Sequence, residues 1–373
     1  MKSSVCLAMI VKDESDVIVR CLRSVSNVID YWVIVDTGSS DGTPRIIEEE
    51  MKQLGIAGEL HHRPWKSFDS NRNECLELAR GKCEYTLVID ADDYLEISDE
   101  TVFNELTLDA YKIELNLGDN VWNRIQLFKS EYDWSYEGVL HEYLKIPNIS
   151  GYTEDLLPNV KMQAATSAEE GSSKYLDDAK VFMREIVYGE LSEDLRRRYT
   201  YYLAQSLRDG GDTAGALLWY TQRSRLGGWP EEVYVSLCMC ARMKKMLNYR
   251  EEDVINSYLK AWEARPERQE ALFELLQLLH AAERWHLGFV LCRSGLNAKA
   301  SIDTLSVDVS ISQWRMVNLW TQFAFKCGYL AEAMSACENL IASSAFASIP
   351  KEEQFRIVNN LEVFETSLIN TFQ

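Results

Sequence analysis

Tyr85-Thr86-Leu87-Val88-Ile89-Asp90-Ala91-Asp92-Asp93 runs a β-forming segment straight into three carboxylates within four positions. A short apolar run bounded by polar residues reads as a fully buried strand. Strands of open α/β sheets present ligands at their carboxyl ends. Three acids crowded there repel one another unless a cation sits among them. Hard oxygen donors select Mg²⁺ or Mn²⁺, ions that keep waters and share themselves with a substrate phosphate. The competing reading is a solvated acidic turn, with Ser98-Asp99-Glu100 capping the next helix. The acids alone do not separate the two, and the residues upstream favour the metal.

Upstream, residues 4–11 form a buried-strand pattern, and Lys12-Asp13-Glu14-Ser15 opens a helix over roughly 16–25 that places Val17, Cys21, Leu22 and Val25 on one face. Residues 31–35 are a second buried strand ending at Asp36. A tight polar turn, Thr37-Gly38-Ser39-Ser40-Asp41-Gly42-Thr43-Pro44, then sets Pro44 in the first turn of a helix over 46–54. A third strand is expected at 58–62 and a third helix at 68–79, stopped by Gly81. This alternation predicts an α/β domain with a mostly parallel, three-layer sheet. Right-handed crossovers bring Val11, Asp36 and Asp90 to one edge. One site there can hold Asp36, the Asp90 cluster and the Lys12–Glu14 turn, with Arg72 and Asn73 adding cationic and amide contacts. Taken singly, Asp36 and Asp41 read as turn caps and Arg72 as a solvated helix residue. Their placement at successive strand ends is what points to a binding site.

A chain of 373 residues predicts two domains. No apolar run approaches the roughly 18 residues of a membrane span, and Met1-Lys2-Ser3-Ser4 leads into a strand without a signal-peptide cleavage pattern. Nine scattered cysteines predict reduced thiols and a cytoplasmic setting. A net charge of −19 argues against nucleic acid as a partner. An acidic protein handling a nucleoside diphosphate also needs a metal or a local arginine.

Four pieces, Ala8-Met9-Ile10-Val11-Lys12-Asp13-Glu14, Val35-Asp36-Thr37-Gly38-Ser39-Ser40-Asp41-Gly42-Thr43, Asn71-Arg72-Asn73 and Asp90-Ala91-Asp92-Asp93, together resemble the nucleotide-sugar half of a family 2, GT-A-fold glycosyltransferase. The resemblance covers residues 5–93. It implies a donor site made by Val11, Glu14, Asp36, Arg72, Asp90 and Ala91, with Asp36 on the uridine and Arg72 on the base or diphosphate. It also implies that Asp90-Ala91-Asp92 is a DxD motif whose Asp92 ligates Mn²⁺ or Mg²⁺. Many members carry two acids after the second strand where this chain has Asp36-Thr37, so the base is less constrained than the fold.

Beyond Asp93, residues 110–117 and 121–129 predict a hairpin across Gly118-Asp119-Asn120. Arg124-Ile125-Gln126-Leu127-Phe128 and Val139-Leu140-His141-Glu142 are similar to a run in family members that carry helical repeats. On that resemblance His141 completes the metal site, and Glu142 is the base that inverting transfer needs. The alternative is a plain strand with His141 exposed and Leu140 buried. Trp134 and Tyr136 suit stacking on a sugar, or core packing.

Three segments follow: a catalytic domain over 1–150, a polar connector over 151–173 and a helical domain over 174–373. In the last, Ala216-x₃-Tyr220, Val254-x₃-Tyr258, Gly288-x₃-Cys292 and Ala333-x₃-Cys337 mark an internal repeat that resembles tetratricopeptide helix pairs. Trp219, Trp229, Trp262, Trp285, Trp314 and Trp320 exceed what one small core needs, which predicts a partner surface. Homodimerisation is expected there ahead of acceptor binding. His280 and His286 do not share a helix face, which argues against a zinc site.

Three functions compete. The first is a metal-dependent inverting glycosyltransferase that takes a nucleotide-sugar, expected to be a UDP-sugar, and modifies a peptide, protein or saccharide; sublancin-type peptide S-glycosyltransferases share the two-part layout. The second is a helical interaction scaffold with a vestigial catalytic half. The third, a nucleotidyltransferase, calls for a glycine-rich basic loop that Lys12-Asp13-Glu14 does not provide. The intact acid cluster, Asp36 and Arg72 favour the first.

Overall fold

A computed structural model describes residues 3–117, 120–164, 172–299 and 301–371. The chain divides into two compact units, Met1–Glu170 and Gly171–Gln373. The first opens with β1 (Val5–Val11), α1 (Ile18–Val25), β2 (Tyr31–Asp36), α2 (Thr43–Leu54), β3 (Gly58–His62), α3 (Phe68–Ala79) and β4 (Tyr85–Val88). It continues with β5 (Tyr94–Ile97), β6 (Ala110–Leu117), β7 (Asn120–Lys129), β8 (Ser135–Glu137), β9 (Tyr143–Lys145) and β10 (Glu154–Gln163). Among the described residues these strands make an eight-stranded sheet in the order β3-β2-β1-β4-β7-β6-β10-β5, plus the small hairpin β8-β9. β3, β2, β1 and β4 run parallel, while β7 lies antiparallel to β4 and β6.

The period of two in β1 explains why helices cover both faces. Val5, Leu7, Met9 and Val11 point into one core with Ile18, Cys21 and Leu22 of α1 and Ile47 and Met51 of α2. Cys6 and Ala8 point the other way, against Cys75, Leu76 and Ala79 of α3. Parallel strands buried on both sides are largely apolar; β1 is so throughout, and β2 and β4 depart from it only at Asp36 and Thr86 among their buried residues.

Several expectations need correction at element ends. α1 begins at Ile18 instead of residue 16, because the Glu14 carbonyl accepts from the N–H groups of both Val17 and Ile18 and so tightens the entry turn. α2 takes in Thr43 and Pro44. The segment expected as a connector contributes β10, which lies between β6 and β5, so the first unit extends past residue 150. β10 escapes a pattern reading because its register shifts between Leu156 and Lys161, around Pro158 and an Asn159 with φ of 64°. The hairpin turn at Gly118-Asp119 and part of the expected connector, 165–171, lie outside the described residues.

The second unit is all α: α4 (Ser172–Tyr188), α5 (Glu193–Asp209), α6 (Thr213–Arg225), α7 (Pro230–Met246), α8 (Glu251–Ala264), α9 (Glu270–Ala281), α10 (Trp285–Leu296), α11 (Met316–Lys326), α12 (Leu330–Ala342) and α13 (Lys351–Thr371). Each helix packs chiefly on its neighbours in sequence, the arrangement of a helical solenoid. The repeated pairs Ala216/Tyr220, Val254/Tyr258, Gly288/Cys292 and Ala333/Cys337 are buried, each pair on the second helix of its hairpin. A Cβ on Gly288 would fall inside the Phe323 ring, so the small residue sets a close helix crossing. Five of the six tryptophans expected on a partner surface are half-buried against this core, and Trp229 alone of the six is exposed. His280 lies edge-on to Trp285 and Phe323, with burial lowering its pKa.

All nine cysteines are free thiols. No described helix is long and apolar enough to cross a membrane.

Candidate active site

The carboxyl ends of β1, β2 and β4 open onto one cavity of about 460 Å³. It is lined by Ile10, Val11, Lys12, Glu14 and Thr37, by Trp65, Phe68 and Arg72, and by Asp90, Ala91 and Asp92. Of the expected donor residues, Val11, Glu14, Arg72, Asp90 and Ala91 therefore share it with Asp92.

Two turns make its floor by fastening to one another. The Asp13 N–H donates to Ser39 Oγ at 2.9 Å, and the Ser40 N–H returns a bond to Asp13 Oδ1 at 2.6 Å. The Glu14 N–H donates to Thr43 Oγ1 at 2.8 Å and the Ser15 N–H to Asp41 Oδ2 at 2.9 Å. The Thr43 hydroxyl and the surrounding donors hold the Asp41 carboxyl well below the usual range. Asp36 caps the same loop from beneath. It is 4 % exposed, accepts from the N–H groups of Gly38 and Ser39, and lies 3.3 Å from His62 Nδ1. Asp36 thus stands at the strand end where it was expected, but underneath the cavity instead of on its wall. Thr37 takes the wall position, with its N–H and its hydroxyl both donating to the Val11 carbonyl.

Arg72, one turn into α3, ties the site together. Its Nη2 donates to Asp90 Oδ1 at 2.7 Å and its Nε to Glu142 Oε1 at 2.8 Å, while the guanidinium carbon lies 5.4 Å from the centre of the Tyr136 ring. The side chain is only 11 % exposed. Burial works against its charge, but Asp90, Tyr136 and Glu142 outweigh it and raise its pKa. Asp90 shows the reciprocal effect: burial would raise its carboxyl, and Arg72 with Arg124 brings it below the ordinary value. Asn73, expected to offer its amide to a ligand, instead clamps β8 onto α3. Its Nδ2 donates to the Tyr136 carbonyl at 2.8 Å and its Oδ1 accepts from the Tyr136 N–H at 2.6 Å.

Arg20 and Arg72 relieve Asp92 only in part. Burial, and then Asp90, push the Asp92 carboxyl above its ordinary pKa; burial, and then Asp92, Asp41, Asp90 and Asp13, do the same to Glu14. Carboxylates that raise one another mark a place short of positive charge. Among the described residues no three His, Cys, Asp or Glu side chains gather closely enough to enclose an ion. The donor set suits a hard divalent cation that takes one or two carboxylates and fills its shell with water and phosphate oxygens. His141 is exposed, in a left-handed conformation (φ 50°), in the turn between β8 and β9, outside the residues that line the cavity. Glu142 ends that turn, and Gly138 allows it: φ there is 119°, and a Cβ would meet the Glu142 Cα at 3.3 Å.

The aromatic residues differ most from the sequence reading. Trp134 is a core residue, 4.7 Å from Phe128 between ring centres and donating from Nε1 to the Lys129 carbonyl. Tyr136 packs by Arg72. The aromatic wall of the cavity is instead Trp65 and Phe68, set edge to face at 4.8 Å and exposed by 43 % and 37 %. Two bulky aromatics flanking the Ser67 N-cap, Trp65 in the loop before it and Phe68 at the first position of α3, were the available signal.

Residues 6–103 match the model of glycosyl transferase family 2. A TPR repeat-containing protein of Synechococcus elongatus is 31 % identical over 149 residues, which are 38 % of this chain and 35 % of that protein, so the chain spans about a third of the relative's length. Among solved structures, Staphylococcus aureus TarS 1–349 in complex with UDP-GlcNAc aligns at 14 % identity and a TM-score of 0.40, over 69 % of this chain and 92 % of that one. The mannosyltransferase PcManGT from Pyrobaculum calidifontis, in complex with GDP-Man and Mn²⁺, aligns at 14 % identity and a TM-score of 0.37, over 71 % and 86 %. Residues 6–103 of this chain are a glycosyl transferase family 2 domain, and the second unit is an all-α stack of helix pairs.

Proposed function

We propose that the chain is a metal-dependent, inverting glycosyltransferase that moves a sugar from a nucleotide-sugar to a peptide, protein or saccharide. The observation that carries this reading is the convergence of Lys12, Glu14, Thr37, Arg72, Asp90 and Asp92 on one cavity at the carboxyl ends of parallel strands. Lys12 and Arg72 face three carboxylates there, so the lining is net acidic before any diphosphate arrives. A donor of that charge needs a cation, and Asp92, with Glu14 beside it, would hold Mn²⁺ or Mg²⁺. The metal, when bound, supplies neutralisation of the departing diphosphate.

The remaining roles fall to Arg72 and to Glu142, which Arg72 holds next to the lining residues. Arg72 keeps Asp90 ionised and holds the Gly138–Glu142 turn against the site. The acceptor nucleophile bonds to the anomeric carbon as the bond from that carbon to the diphosphate oxygen breaks, and the electron pair leaves with the diphosphate. The acceptor's proton passes to Glu142, oriented for this by the bond from Arg72 to its other oxygen. His141, in the same turn, would come to the metal only if that turn moved.

A thermal-shift and donor-hydrolysis screen of UDP-, GDP- and dTDP-sugars, with and without Mn²⁺, tests the reading. Stabilisation by at least one donor, dependent on Mn²⁺, is the expected result, and no response to any donor refutes it. Glu142→Gln should keep donor binding and lose transfer.

A further inference from the structure

The cavity's aromatic wall has no role in the steps above. Trp65 and Phe68 expose large apolar surface beside polar residues, Trp65 on a loop that is held firmly and Phe68 at the start of α3. Asn71, fully buried, accepts from the Lys66 N–H at 2.9 Å and donates to the Pro64 carbonyl at 3.2 Å. The Arg63 N–H donates to the Asp36 carbonyl, and Ser67 Oγ accepts from the Ser70 N–H to cap α3. Phe68 fixes the indole from the side by its edge-to-face contact. An exposed ring on a pre-organised loop is a ready stacking surface, because little freedom remains to be lost when a ligand covers it.

Sheet order says which part of a donor reaches it. Trp65 lies in the loop that leaves β3, whereas Asp90 and Asp92 follow β4, and β2 and β1 lie between those two strands. Three strand spacings at about 4.8 Å put the ends of β3 and β4 roughly 14 Å apart. The acidic end takes metal and diphosphate, so the group lying three strands away is the nucleobase and not the transferred sugar. Asp36 does not compete for that base, since its carboxylate is buried under the loop and engaged by Gly38, Ser39 and His62.

Resting on the donor-site reading above, we infer that Trp65, steadied by Phe68, is the platform on which the donor's base stacks, and that base recognition here is by ring face instead of by hydrogen bonds to the ring edge. Every base offers a π face, so stacking tolerates base identity. The site should take uridine and guanosine diphosphates alike, with the larger purine held at least as well.

Calorimetric titration of the full chain with UDP, GDP and inorganic pyrophosphate, each with Mn²⁺, tests this. In the unsubstituted protein UDP and GDP should bind within about tenfold of one another. Trp65→Ala should weaken both by roughly tenfold to a hundredfold, Trp65→Phe by less, and neither should change pyrophosphate binding, which also reports an intact fold. Undiminished UDP and GDP affinity in Trp65→Ala overturns the platform while leaving the donor site standing. A preference above a hundredfold for one base overturns recognition by ring face. Failure of the unsubstituted protein to bind any of the three overturns both the platform and the donor-site reading.

Discussion

Replacing Arg72 with alanine removes a guanidinium that two carboxylates share. Asp90 is 32 % exposed and Glu142 14 % exposed, so solvent relieves the first better than the second. Breaking a buried pair by deleting one partner costs about 3–5 kcal/mol; with Asp90 partly screened, about 3 kcal/mol is the expected loss at pH 7. In a unit of this size that corresponds to a fall in Tm of about 6–12 °C. The effect has a pH signature. Asp90's folded pKa lies below its unfolded value of about 3.9, so its pairing stabilises fully above that value and is lost as pH falls through the folded pKa. The gap in Tm between the native protein and Arg72→Ala should therefore be widest above about pH 5 and narrow below about pH 4. Scanning calorimetry across pH 3–8 reads this directly. Arg72→Lys should fall between the two, because a point charge cannot reach both carboxylates. A Tm for Arg72→Ala within about 2 °C of the native protein at pH 7, or a gap that stays constant into acid, would refute the reasoning.

Asp92→Asn should do two opposite things: raise Tm slightly in metal-free buffer at pH 7, where a carboxyl with an elevated pKa is a burden once ionised, and abolish Mn²⁺-dependent donor hydrolysis. A variant that turns over normally removes Asp92 from the metal. Gly58→Ala should cost about 1–3 kcal/mol, because the new Cβ would fall within the Trp32 indole, which is itself held by its bond to the Ile56 carbonyl; an unchanged denaturation midpoint counts against that packing. Gly288→Ala should lower the unfolding temperature of the helical unit through Phe323 while leaving donor binding untouched, and a loss of donor binding would contradict the division of labour between the units.

Much of this was legible because strand ends are legible. The central parallel strands β1, β2 and β4 read as largely apolar runs, each stops at a polar turn, and the topology then forces those turns together. Arg72, Asp90 and Asp92 meet for that reason. Residues whose chemistry serves two purposes were harder to read. An aspartate before Thr37-Gly38 can contact a ligand or cap a turn, and burial, which sequence does not display, made Asp36 a cap. Asn73 had the same ambiguity, resolved by a β8 backbone far along the chain. Trp65 lies in a loop without periodicity and Phe68 at the first position of α3, where no pattern separates an exposed ring from a packed one. In the helical unit the four spaced pairs were readable because each repeats a crossing geometry. The half-buried tryptophans were misread because a solenoid core is long and takes more aromatic residues than a compact one.

The interleaving of β10 has a bearing on how the chain is made. Among the described residues β5 pairs with β10 and with no other strand of the sheet, so Ile97 waits for Val160, 63 positions later. At about 5–20 residues per second, a ribosome needs roughly 3–12 seconds to deliver that partner. Until then β6 has an open side, and β5 is an unpaired segment that a neighbouring nascent chain could engage. The residues that line the cavity are complete long before, by Asp92, but the turn that Arg72 grips arrives only with Glu142. A fragment ending near residue 150 would therefore carry every lining residue of the cavity and still leave two strands unsatisfied, whereas one extended through Gln163 would leave the ribosome with its sheet closed.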